Sequence, residues 1–220
     1  MLDIFYYIFL WPFEQLFYVL LNFLLGIVPV GWALVGLSVI INAIYIPIQV
    51  MAKRIEDKEV AKQKLVKADV KEIKKHYKGE EAFRKIEAAY KKHNYSVFLS
   101  FRSNLSLLVM IPFFVAAVLT LDNNPVFSNV SFLGIGNLAV PDGLLFGINI
   151  LPFVMTIVNI ASIKLVEPDK PLFSKSNAKL IILALLFLAF LYNKSASLLV
   201  YWTCNNMIFL LRAAVKLARK

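Results

Sequence analysis

Residues 53–92, KRIEDKEVAKQKLVKADVKEIKKHYKGEEAFRKIEAAYKK, carry fourteen of the chain's 24 Lys and Arg residues, and the sequence on either side of them is nearly all apolar. With 60% hydrophobic residues over 220 positions, runs of about membrane-spanning length would expose too much apolar surface for a soluble globule. The chain therefore reads as an all-α polytopic membrane protein, and the positive-inside rule places the basic stretch in the cytoplasm. Within it, Val66, Val70, Ile73 and Tyr77 follow 4-3-4 spacing and Phe83, Ile86 and Tyr90 follow 3-4 spacing, with Gly79 between the sets. That pattern predicts two antiparallel helices zipped along those stripes, over about 55–93. Glu80 and Glu81 suit the start of the second helix and Lys91 and Lys92 its end, because the helix dipole favours acids first and bases last.

Upstream of the arm, 31–52 is the first span, interrupted by Ser38, Asn42, Pro47 and Gln49. Before it, 1–30 holds an apolar segment broken by Pro12, Glu14 and Gln15 and rich in aromatics, among them Phe5, Trp11, Phe13 and Phe17. A carboxylate inside a span is costly and aromatic rings settle at the headgroup boundary, so an interfacial helix is expected; the run is also long enough to cross. The start, Met1-Leu2-Asp3, has no basic n-region, which points away from a cleaved signal and toward a bacterial plasma membrane.

Downstream of the 53–95 arm, residues 96–220 carry four more spans, at about 103–121, 144–163, 178–193 and 196–212. The loop between Asp122 and Asp142 has no Lys or Arg, as suits the outer side, whereas Lys164, Lys170, Lys175 and Lys179 mark a second inner loop broken by Pro168 and Pro171. One helix over 180–211 would put Lys194 near mid-bilayer, so Asn193-Lys194-Ser195 must turn outside. The run descending to that turn is shorter than a hydrocarbon core of about 30 Å, a mismatch met by local thinning of the bilayer. Arg212, Lys216, Arg219 and Lys220 end the chain inside.

Chemistry-bearing patterns are few. His76 and His93 lie on the polar arm and read as solvated, Cys204 has no partner, and neither a metal-ligand spacing nor a phosphate loop is evident. No cofactor, small-molecule substrate or enzymatic reaction is expected. What stands out is neutral polar residues inside spans: Asn42 and Gln49; Ser103, Asn104 and Ser106; Asn149, Thr156, Asn159 and Ser162; Thr203, Asn205 and Asn206. Two readings stand open, hydrogen bonds that hold helices together and a wet groove open to the cytoplasm.

Four words bear on the choice: Ile46-Pro47; Met110-Ile111-Pro112-Phe113-Phe114; Phe132-Leu133-Gly134-Ile135 through Pro141-Asp142 to Leu151-Pro152; and Ser197-Leu198-Leu199-Val200-Tyr201-Trp202 with Asn205-Asn206. In these words and in the order of its segments the chain resembles the YidC/Oxa-type membrane protein insertases. The resemblance implies a five-transmembrane-helix insertase core with an N-terminal interfacial helix and a cytoplasmic helical hairpin. It also implies partners: nascent or newly made membrane proteins, the lipid bilayer, and a ribosome or translocon. Such a factor receives a hydrophobic segment in a groove open to cytoplasm and lipid and releases it sideways, consuming no nucleotide itself. On this chain the expected groove residues are Asn42, Gln49, Asn104, Thr156, Asn159, Ser162, Tyr201, Trp202 and Asn205. Two positions depart from the family pattern: Asn42 stands where a groove arginine is usual and Met110 where a glutamine is usual. Arg102 is a substitute for the missing charge or a snorkelling anchor. The alternative to an insertase is a scaffold that assembles one dedicated membrane complex without inserting clients. A small-solute transporter is disfavoured by the lack of an inverted repeat or ionisable relay.

Overall fold

A computed structural model describes residues 4, 6–166, 171, 172 and 174–219, with backbone alone at 97–100, 175, 176 and 179. Met1-Leu2-Asp3, Phe5, Pro168, Lys170 and Lys220 lie outside the described residues, and Lys175 and Lys179 are described only as backbone. The regular elements are helices: a π-helical turn Tyr6–Leu10, α1 Trp11–Leu25, α2 Val30–His76, α3 Gly79–Lys92, α4 Leu105–Leu121, α5 Leu151–Val166, α6 Lys175–Leu191 and α7 Ala196–Ala218. Runs Tyr6–Leu25, Val30–His76, Phe101–Leu121 and Ala196–Ala218 are long and apolar enough to cross a membrane, and α5 and part of α6 are shorter apolar helices. The chain is a polytopic helical membrane protein. It divides into two compact units, Met1–Ala43 with Phe113–Lys220, and Ile44–Pro112.

In the first unit, one end of the bundle is tied together by polar contacts. The Asp122 carboxylate, just past α4, accepts the Ser195 amide at 3.0 Å and the Lys194 ammonium at 2.9 Å. Ser197 donates its hydroxyl to the Leu121 carbonyl at 2.8 Å, and the amides of Ala196 and Ser197 donate to the carbonyls of Val140 and Leu138. Phe132 lies edge-on to Trp32 and against Gly31, where an added Cβ would sit 2.2 Å from the Phe132 ring, which accounts for glycine there. The start of α2, the end of α4 and the start of α7 thus share one level. Within the bundle α5 packs mainly on α7 and also on α6.

Measured from that level, α1 runs across the bundle rather than along it. Phe17 meets Tyr201, five residues into α7, with ring centroids 5.6 Å apart. Leu24 meets Gly36, six residues into α2, and Phe13 meets Phe113, eight residues before the end of α4. At a rise of about 1.5 Å per residue those depths are about 8, 9 and 12 Å, while the axis from Phe13 to Leu24 extends about 16 Å. A helix parallel to its neighbours would change depth by most of its length, so these contacts set α1 across the others. Glu14 accepts a hydrogen bond from the Tyr6 hydroxyl, which offsets the cost of a carboxylate in an apolar segment.

The sequence starts the third span at 144, but helix α5 begins at Leu151. Asp142 explains the late start: its carboxylate accepts the amides of Ile150 at 2.7 Å and Leu151 at 2.6 Å, capping the helix from a distance. Asn149 therefore sits in the loop and does not extend the polar face of α5. Buried there, it donates to the Tyr192 carbonyl at 2.8 Å and accepts the Gly143 amide at 3.0 Å. The last helix continues to Ala218, past the expected end at 212.

In the second unit, α2 continues through Pro47 into the arm without a break, and the chain reverses at Gly79, whose φ is +59°. Bonds from Gln63 to Tyr95 and from Lys92 and His93 to Asp69 show that α2 and α3 run antiparallel. The expected stripe on α3 holds at Ile86 and Tyr90, which are half-buried, but not at Phe83. Phe83 is 68% exposed, and Ala82 and Ala89 are buried instead, because small side chains let the two helices approach where a phenylalanine would hold them apart. His93 is not solvated as expected: only 15% of its side chain is exposed, and it bonds Asp69 at 2.9 Å. His76 is exposed as expected. The Glu56 carboxylate accepts the Ser106 amide at 3.1 Å, near the start of α4.

Candidate functional site

The polar cluster of the first unit is built from two helical faces with four-residue spacing. On α2, Ser38 and Asn42 lie one turn apart; on α7, Tyr201 and Asn205 do the same. The Asn42 amide donates to the Asn205 side-chain oxygen and, at 2.8 Å, to the Ser38 carbonyl. The Ser38 hydroxyl donates to the Val35 carbonyl at 2.7 Å. Tyr201 is fully buried, with Phe17 against its ring, and its hydroxyl interacts with Asn205. The Cys204 thiol interacts with Ser38 across the same seam. All of these groups are neutral. In a low-dielectric interior an arginine at position 42 would need a counter-charge or water, whereas two amides satisfy each other directly.

The remaining expected groove residues part company. Thr156 and Ser162 are buried on α5, but their hydroxyls donate to the carbonyls of Pro152 and Val158 on their own helix, at 2.7 and 2.8 Å. Such bonds satisfy a hydroxyl in an apolar helix and leave it little to offer a neighbour. Asn159 on the same helix is half-buried. Trp202 is part of an aromatic cluster: it stacks on Phe187 at 5.9 Å and meets Phe114 edge-on at 4.9 Å. Gln49, Arg102 and Asn104 belong to the second unit. There, Gln49 is half-buried, Arg102 is exposed in the turn before α4, and exposed Asn104 donates to the Ser103 hydroxyl at 3.4 Å.

Two groups that the sequence flags only as polar are neighbours of the seam residues along α7. The Thr203 hydroxyl and the Asn206 amide nitrogen, both on α7, are buried with no hydrogen-bond partner among the described residues. Orphans of this kind carry a cost of about 1–3 kcal/mol each unless a water or another molecule satisfies them. Ser38 and Cys204 are also brought in by the fold; the i, i+4 repeats Ser38/Asn42 and Tyr201/Asn205 were the signal in the sequence that could have paired these faces.

Comparison with known proteins follows the same lines. The family described as 60Kd inner membrane protein matches residues 21–218. A protein of Herminiimonas arsenicoxydans named membrane protein insertase YidC is 30% identical over 193 residues, covering 81% of this chain and 32% of that protein. Proteins of the same name from Janthinobacterium sp. (strain Marseille) and Cupriavidus metallidurans are 29% and 25% identical, each over 81% of this chain. The chain spans about a third of the length of these relatives.

Proposed function

Because the chain belongs to the 60Kd inner membrane protein family, the YidC/Oxa family, we propose that it acts as a membrane protein insertase or chaperone, taking up hydrophobic client segments and releasing them into the bilayer. The observation that carries this reading is the neutral polar seam of Ser38, Asn42, Tyr201 and Asn205 inside apolar helices, with Thr203 and Asn206 left unsatisfied nearby on α7. Polar groups at membrane depth lower the cost of carrying a polar client tail partway across, because they replace some of the hydrogen bonds it loses with water. No bond is made or broken, so catalysis here means lowering a transfer barrier. The described residues of α5, Leu151–Val166, extend about 24 Å against a core of about 30 Å, which favours a locally thin bilayer and shortens that barrier further.

The positive-inside rule favours a cytoplasmic arm, and clients then enter from the cytoplasm. The arm's fourteen bases against eight acids suit ribosomal RNA, anionic lipid headgroups or a nascent chain. The mutual satisfaction of Asn42 and Asn205 also suits a second reading, a scaffold for one dedicated membrane complex, in which the amide pair simply holds helices together.

Reconstitution into liposomes with a short single-span client made in vitro separates the two. Insertase action gives more protease protection of the client's outer tail than protein-free vesicles do, and Asn42→Arg shifts the preference toward clients with acidic tails. No gain over empty vesicles, with the protein folded and correctly oriented, would leave the scaffold.

A further inference from the structure

Two four-residue words, Phe132-Leu133-Gly134-Ile135 and Leu145-Phe146-Gly147-Ile148, fold alike. In each, the first and fourth residues exchange backbone hydrogen bonds, at 2.9 and 2.9 Å in the first and 3.3 and 2.8 Å in the second. Both central residues have positive φ: +50° and +85° at Leu133 and Gly134, +51° and +85° at Phe146 and Gly147. This is the type I′ hairpin turn, whose first central position favours Asn, Asp or Gly. A leucine and a phenylalanine there cost the fold backbone strain. They return no packing either, since Leu133 is 76% and Phe146 99% exposed.

The surroundings of the turns say what meets these side chains. The Phe146 turn comes immediately before α5, whose described residues, Leu151–Val166, extend about 24 Å against a bilayer core of about 30 Å. Leu144, Leu145 and Ile148 beside it are exposed as well. From 123 to 149 the only charged residue is Asp142, and its carboxylate is taken up by the amides of Leu144, Ile150 and Leu151. The Leu133 turn sits at the start of α2, where Phe132 contacts Gly31 and the exposed Trp32, an aromatic at a helix end where interfacial tryptophans are found. Apolar, uncharged and level with the ends of spans, both tips meet the conditions for contact with lipid.

We propose that the Leu133 and Phe146 turns are lipid-dipping fingers: their tips insert into the bilayer face at this end of the bundle, and the Phe146 turn completes the apolar thickness that α5 lacks. The fingers would hold the short helix at fixed depth while the membrane thins around it. The occupant is the bilayer itself, so the proposal stands apart from client insertion and its test needs no client.

Single cysteines at 133, 146 and, as a water-exposed control, 128 are introduced in a Cys204→Ala background, spin-labelled and reconstituted into vesicles holding this protein alone. Labels at 133 and 146 should collide more with oxygen than with an aqueous nickel chelate, with the reverse at 128. Nickel-accessible labels at 146 and 133, matching 128, would overturn the proposal. If labelling disturbs the fold, Phe146→Trp in otherwise unaltered protein serves instead: quenching by brominated lipids supports insertion and unquenched emission overturns it. Phe146→Asn, which relieves the φ strain, should keep or raise the melting temperature in detergent; a large fall would show a packing role and overturn the proposal.

Discussion

At the scale of single residues, the most telling exchange is at position 42. An amide there closes on Asn205 and needs neither counter-ion nor water, so the seam between α2 and α7 stays neutral. A double-mutant cycle with Asn42→Ala and Asn205→Ala should give a coupling of about 0.6 kcal/mol, the usual worth of an interhelical hydrogen bond in a membrane protein. Asp122 makes a heavier contribution, because one carboxylate holds both the Lys194 ammonium and the Ser195 amide. Asp122→Ala should cost about 1–3 kcal/mol in detergent unfolding, since it orphans those donors together. The Asn42 seam was legible in part: the residue types were flagged from the sequence, but Ser38 and Cys204 join only because two distant helices cross there.

At the scale of elements, small residues decide which faces touch. Gly31→Ala would drive a methyl into the Phe132 ring, and the expected loss is about 1–3 kcal/mol of stability, checked by the shift of the thermal midpoint. In the arm, Ala82 is buried next to the exposed Phe83 that spacing alone selects, because hydrophobic spacing reports a period and not which flanking alanine lets two helices approach. The α2–α3 hairpin is clasped by Asp69, whose carboxyl is held below its ordinary value first by the hydrogen bond from His93 and then by the bond from Lys92. A lowered folded value means that the stabilisation is fully present above the ordinary carboxylate range and is lost as pH falls through it. Helicity of the arm should therefore drop on acidification below about pH 4, and Asp69→Asn should flatten that response in circular dichroism.

At the scale of the whole molecule, function depends on how the bundle fits its bilayer. If short α5 thins the membrane, client insertion in reconstituted vesicles should fall as the lipid acyl chains are lengthened, and recover in thinner bilayers. An activity insensitive to bilayer thickness would detach the short helix from the mechanism. The sequence by itself determined the membrane class, the basic arm, the neutral character of the buried polar residues and the terminal turn at Lys194, because charge and hydropathy are properties of composition along the chain. Only the tertiary structure decided that α1 lies across the bundle, that Asn149 and Asp142 build a loop and delay α5 to Leu151, and that Asn42 meets Asn205 while Trp202 joins an aromatic cluster. Apart from the cap by Asp142, which is local, each of those outcomes is a long-range pairing, fixed by which helix face finds which partner, and no local period or charge run encodes that choice.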